Sequence, residues 1–289
     1  MLPLAEIITK ERQGQLIILH VVTAPDGESL SEVAGNASQF RETLGSLITD
    51  LVRIPVQTKT MVRVESQVWD GLWEVVIQEK IDLLLLAWSY DQSINTAILR
   101  LNDSRLADPL CDMVIVSVRG EVAASGNWQS VKRILLPVRG GPHAGIALRI
   151  ANALAQATDA SITTLHATDA SARMAEEQLL NAFGPALRSL ERLKRSMTVV
   201  NNVPNAIIEE APEHQVLVMG APTRQIYADG WGGPLLDRVI QETEATLIIV
   251  KQKREVSSST LPYYTSEVED ERQPSEMVQE ETRREEVLL

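Results

Sequence analysis

One cysteine in 289 residues, Cys111, excludes an intrachain disulfide framework and any cysteine-based zinc cluster. The four histidines, His20, His143, His166 and His214, are widely separated, and none stands in a His-Glu-x-x-His arrangement. Aromatic residues are 4% of the chain, so its cores must be aliphatic, built from Leu, Ile, Val and Ala. Positive charge is also short: 27 Lys and Arg face 39 Asp and Glu, a net of −12. Affinity for nucleic acid comes mainly from Lys and Arg that neutralise phosphates, so nucleic acid is excluded as a main partner. No apolar run approaches the roughly 18 residues that span a bilayer. Near Lys10 and Arg12 there is no apolar stretch of about 7–15 residues followed by small residues, as a signal peptide requires. The sequence therefore reads as a soluble, cytoplasmic chain that does not insert into a membrane.

What is present is a pattern written twice. At about 150 residues per domain, the length allows two domains, and 44% hydrophobic residues suffice for two ordinary cores. Setting Ala5 on Ala151 also sets the run Leu16-Ile-Ile-Leu-His-Val21 beside Ser161-Ile-Thr-Thr-Leu-His-Ala167, with His20 on His166. Further on, Asp82-Leu-Leu-Leu-Leu-Ala87 matches Gln215-Val-Leu-Val-Met-Gly220, and Met113-Val-Ile-Val116 matches Thr246-Leu-Ile-Ile249. Four matches in one order define two copies, residues 1–121 and 130–253.

Each copy alternates short apolar runs with segments of helical period. In the second copy, strands are expected at 133–138, 160–167, 197–200, 216–220 and 246–251. Helices are expected at 143–157, 170–193, 205–210 and 234–242. Runs such as Val216 to Met219 show no polar alternation, as strands buried on both faces of a parallel sheet require. Strands alternating with helices over short connections make βαβ units, so the fold class is α/β, with two tandem doubly wound parallel sheets. From Glu255 to the end stand ten acidic residues and three basic ones, with few apolar ones between them. Residues 254–289 are expected to be a disordered acidic tail, either a docking segment or a solvated terminus.

These residues resemble a known family. Arg133-Ile-Leu-Leu-Pro-Val138, a following helix, a strand ending in Leu-His, and Val218-Met-Gly220 opening a loop resemble the universal stress protein domain. The resemblance covers residues 1–253 as two tandem copies. It is similar, too, to the paired cytosolic domains of some amino-acid permeases and cation antiporters. It implies a five-stranded parallel sheet per copy and a pseudo-dimer of the two copies, with a homodimer as the alternative.

Nucleotide-binding members hold ATP over the carboxyl ends of the strands, where glycines admit the phosphates and a helix N-terminus faces them. Carried onto this chain, that implies a degenerate site at Pro137, Val138, Arg139, Ala167, Gly220, Thr223 and Gly233. Departures are evident. Thr223 replaces the second glycine, and Pro234 replaces the hydroxyl residue, removing an N–H donor as well. Arg139 stands where the family's acidic residue would lie near the adenosine. In the first copy, Ala87-Trp88-Ser89-Tyr90 replaces the glycine pattern. His20 and His166 sit at strand ends near the crevice, and Trp231 within Gly230–Gly233 reads as a packing residue. No metal site is expected.

The first copy also lacks a counterpart of residues 133–146, so its first, central strand is missing. Either the chain is the back part of a longer protein, or a strand is supplied in trans, or the first copy is rearranged. Glu209, Glu210 and Glu213, and Asp169 with His166, lack the nucleophile–base–orienter spacing of an enzyme. The leading expectation is a non-catalytic regulatory module acting by contact with a protein, a membrane transporter among the candidates. The alternative is a sensor that binds ATP or AMP in the second copy.

Overall fold

The computed structural model describes residues 1–23, 40–43, 45–46, 55–88, 109–138, 142–168, 192–200, 202–221 and 234–253, together with residue 35. Met1–Arg254 form one compact unit. The expected helix at 170–193 and the expected tail fall almost wholly outside the described residues.

Residues 1–121, the expected first copy and here termed the first repeat, contribute α1 (Leu2–Arg12), β1 (Gln15–Thr23), β2 (Gln57–Glu65), α2 (Val68–Gln78), β3 (Leu83–Ala87) and β4 (Asp112–Ser117). A linking segment follows, with α3 (Gly120–Ser125) and a 3-10 turn at Trp128–Ser130. The second repeat runs β5 (Arg133–Val138), α4 (Ala144–Thr158), β6 (Ser161–Thr168), β7 (Leu193–Val200), α5 (Val203–Glu210), β8 (Val216–Gly220), α6 (Pro234–Glu242) and β9 (Thr246–Lys251). Four of the expected second-repeat elements, β5, β8, α6 and β9, have the bounds their apolar runs suggest. Strand β7 starts four residues earlier than expected, because Leu193-Lys-Arg-Ser has no apolar alternation to reveal it.

Seven strands form one sheet in the order β3-β4-β9-β8-β5-β6-β7. The last five are all parallel, with β5 in the middle, flanked by β8 and β6. The central strands are aliphatic on both faces: Ile134, Leu135, Leu136, Val216, Leu217, Val218 and Leu247 to Val250 are fully buried. Helix α4 covers one face with Ile146, Ile150 and Leu154, as its apolar spacing dictates. The opposite face carries Trp69, Trp73, Ile207, Leu236 and Val239.

The two repeats join through β4 and β9, which pair antiparallel from Met113↔Lys251 to Ser117↔Leu247. Arg119 fastens the join. Its Nη1 donates to the carbonyls of Ile240 (2.7 Å) and Thr243 (3.1 Å) at the end of α6. Its backbone N–H donates to Thr246 Oγ1 at 2.9 Å, and that hydroxyl donates back to the Arg119 carbonyl at 3.0 Å. Gly120 must follow, since its φ of +52° suits glycine and a Cβ there would lie 2.7 Å from the Glu244 carbonyl oxygen.

In the first repeat, β1 and β2 form a separate parallel pair, while β3 and β4 belong to the large sheet. Among the described residues no strand lies between β1 and β3, the place that β5 fills between β6 and β8 in the second repeat.

Candidate functional site

In an open parallel sheet, ligands settle where strand order reverses, beyond the carboxyl ends of the strands. In the second repeat that point lies between β5 and β8. Strand β5 stays paired with β6 as far as Val138↔His166, but with β8 it is paired only at Ile134↔Val216 and Leu135↔Leu217. The carboxyl ends of β5 and β8 therefore diverge. Pro137 and Val138 end β5, Ala167 lies near the end of β6 opposite Val199, and Gly220 ends β8 opposite Val250. The backbone thus brings these four expected site residues to one end of the sheet. Arg139, Thr223 and Gly233 lie outside the described residues, as do Arg224, Trp231 and Asp169.

What fills the space over Gly220 is His143. A Cβ built on Gly220 would lie 3.0 Å from the Cβ of His143, tighter than ordinary contact. The Cα of Gly220 thus lies against the His143 side chain. His143 comes from the residue just before α4 and is 8% exposed. Its Nδ1 accepts the backbone N–H of Gln252 at 3.0 Å, so the proton of the neutral ring lies on Nε2. Burial lowers its pKa below 6.5, the positive charge of Lys251 pushes the same way, and Asp112 opposes them. Asp112 is itself held by Arg12 at 3.6 Å, which also reaches Asp82 at 3.2 Å, and Lys253 N–H donates to Asp112 Oδ1 at 3.1 Å. One acidic group of the first repeat, Asp112, thus acts on His143.

The sequence gives little sign of this role for His143. A histidine after Gly-Gly-Pro at a helix start is equally at home in a turn. His20 is exposed on β1, with its ring 6.0 Å from that of Phe40. In the first repeat Trp88 is buried, and the Arg119 guanidinium lies over its ring at 5.5 Å, which makes it a packing residue of the join. Glu213 pairs with Arg133 at 3.1 Å on the surface. Burial, with Asp112 and Asp82 adding to it, pushes the Cys111 thiol up to about 12. It is no nucleophile near neutrality. Among the described residues no three His, Cys, Asp or Glu side chains group as metal ligands.

His214 shares the neutral state of His143. Its Nδ1 donates to the Glu210 carbonyl at 2.9 Å, and burial lowers its pKa below 6.5. Both rings take a proton more readily in the unfolded chain. Their contribution to stability is therefore complete above pH 6.5 and is lost as pH falls from there through the lowered folded values. The melting temperature is expected to drop between pH 7.5 and 5.5, a range in which most carboxylates stay ionised. The slope should flatten in His143→Asn and in His214→Asn. An unchanged slope in both variants would refute the assignment.

With strand order and crevice established, sequence comparison finds a family match for part of the chain. Residues 130–258 match the universal stress protein family. The match spans the second repeat and a few residues beyond it. A universal stress protein from Archaeoglobus fulgidus has a similar structure, with a TM-score of 0.54 at 13% identity over 87% of this chain and 91% of that one. A functionally unknown protein from Pseudomonas aeruginosa aligns with a TM-score of 0.51 at 15% identity, over 86% of each chain. The cytoplasmic domain of a prokaryotic cation chloride cotransporter aligns with a TM-score of 0.51 at 15% identity, covering 83% of this chain and 85% of that domain. At these identities the likeness shows the fold, and its coverage extends into the first repeat. No curated protein matches the chain by sequence. Among the described residues no helix is long and apolar enough to cross a membrane.

Proposed function

We propose that this chain is a non-catalytic regulatory module of universal stress protein type that works in the cytoplasm by contact with another protein. A membrane transporter is the partner class favoured by the likeness to a cotransporter's cytoplasmic domain. The observation that carries the contact reading is His143, which occupies the space over Gly220 and is tied to Gln252. A second reading, ATP or AMP held in the second repeat, draws on the divergence of β5 and β8. On that reading His143 must swing out when the nucleotide enters.

A thermal-shift titration with ATP, AMP and cyclic nucleotides, with and without magnesium, separates the two. A ligand at 100 times its dissociation constant stabilises by about 2.7 kcal/mol, which raises the melting temperature by several degrees. The contact reading expects no shift at millimolar nucleotide. A saturable shift that grows when His143→Ala clears the crevice would establish the sensor instead.

A further inference from the structure

His143 and His214 are buried to nearly the same degree, at 8% and 7% exposure, yet their hydrogen bonds run in opposite directions. The Nδ1 of His214 donates to the Glu210 carbonyl at 2.9 Å. The Nδ1 of His143 accepts, because its partner at 3.0 Å is the backbone N–H of Gln252, which can only donate. A second proton on the ring leaves the His214 bond in place but destroys the His143 bond, since an imidazolium has two donors and no acceptor. We propose that His143 is a proton-operated latch: protonation of its ring releases Gln252 from its place beyond β9 and uncovers Gly220 at the carboxyl end of β8. The inference goes beyond both readings of the function and requires neither, because it concerns only whether the crevice is covered.

Position makes the release local. Strand β9 ends at Lys251, which pairs with Met113, and Gln252 and Lys253 follow it outside the ladder. Side chains hold them instead. His143 reaches Gln252 from the β5–α4 connection, and Asp112 of β4 accepts the Lys253 N–H on its Oδ1 at 3.1 Å. Gln252 is only partly buried, so water can take the place of the imidazole acceptor. Helix α4 does not depend on the ring either. The His143 side chain makes no capping bond, and its backbone carbonyl accepts the Ala147 N–H at 3.1 Å wherever the ring lies. The ring can therefore leave by rotation about its own side-chain bonds, with α4 and the β4–β9 join intact.

The charges around the ring set the direction of the switch. Lys251 stands at the end of β9 and Asp112 at the start of β4. Burial opposes a second proton on the ring, Lys251 opposes it too, and Asp112 favours it. The pull of Asp112 is shared with Arg12, which lies 3.6 Å from it and also reaches Asp82 at 3.2 Å. Strand β8 brings no charged residue, and the first turn of α4 brings no acidic one. A ring that has swung into water regains its ordinary pKa near 6.5. It then binds the proton more tightly than the closed ring does, so acid favours the open form. The effect begins as pH falls below 6.5 and levels off once the lowered value of the closed ring is passed.

Native-state amide exchange of the full chain at pH 7.5 and 5.5, corrected for the pH dependence of exchange in an unstructured peptide, tests the latch at Gln252. At pH 7.5 the Gln252 amide should exchange by local opening, faster than the amides of Leu247 to Val250. Its protection should fall about five- to tenfold between pH 7.5 and 5.5. His143→Asn keeps an acceptor oxygen close to the place of Nδ1 but does not titrate, so the protection of Gln252 should hardly change over that range. In His214→Asn the response of Gln252 should persist. His143→Ala removes the acceptor and should leave Gln252 weakly protected at both values. The inference is overturned if Gln252 is protected as strongly as the core of β9, or if its protection does not vary with pH in the unaltered chain. An undiminished response in His143→Asn, a lost response in His214→Asn, or unaltered protection in His143→Ala also overturns it. The first two outcomes need only the unaltered chain, so they decide even where a substitution prevents folding.

Discussion

Arg119→Ala is expected to lower the folding stability by about 3–5 kcal/mol, seen as a fall of roughly 10 °C in melting temperature. The guanidinium is buried and donates to two carbonyls at the end of α6, Ile240 and Thr243. Alanine leaves both acceptors without this donor in a place water does not reach, at about 1–3 kcal/mol each. It also empties the volume against Trp88 and removes the favourable placement of a cation over that ring. Lysine is expected to restore only part of the loss, because a single ammonium cannot reproduce the spread of a planar guanidinium. A loss below about 1 kcal/mol in Arg119→Ala would mean that the residue does not fasten the join.

Trp128→Ala is expected to cost about 3–5 kcal/mol, the usual range for emptying a buried tryptophan site. Trp128 is 3% exposed, although it sits in the segment between two repeats, where a solvated linker might be imagined. Its 3-10 turn packs on α4, and its ring belongs to the cluster formed by Leu4 and Ile7 of α1, Val131, and Ile150 and Leu154 of α4. One side chain thus sits in a core drawn from both repeats. Because that core is shared, denaturation of the variant should remain a single transition at lower denaturant, with the slope unchanged. Two separate transitions would show that the repeats unfold independently.

The parts of this structure legible in the sequence are those where burial leaves a pattern. Strands β5, β8 and β9 are runs of aliphatic residues without polar alternation, and a strand covered on both faces admits nothing else. Helix α4 is legible for the related reason that its apolar residues recur at helical spacing. The gap beside β1 follows from alignment of the two repeats, since four matching runs leave residues 133–146 without a counterpart. The join between the repeats was not legible. Met113 to Val116 says that β4 is buried, but an apolar run does not name its neighbour, nor whether that neighbour runs antiparallel. Arg119 has no sequence signature either, because a buried arginine is distinguished only by the carbonyls that a distant helix end presents to it. His143 is similar: its place over Gly220 depends on how the β5–α4 connection folds over β8.

The central claim is that the two repeats form one cooperative body through β4 and β9, with a strand position left open beside β1 and β3. Native-state amide hydrogen exchange tests it most directly. The account predicts that amides of Met113 to Ser117 and Leu247 to Lys251 exchange only by global unfolding and share one free energy. About half of the amides of β1 and β3, those on the open side, should exchange far faster than their counterparts in β6 and β8. Slow, uniform protection of β1 and β3, or protection of β4 that is independent of β9, would contradict it.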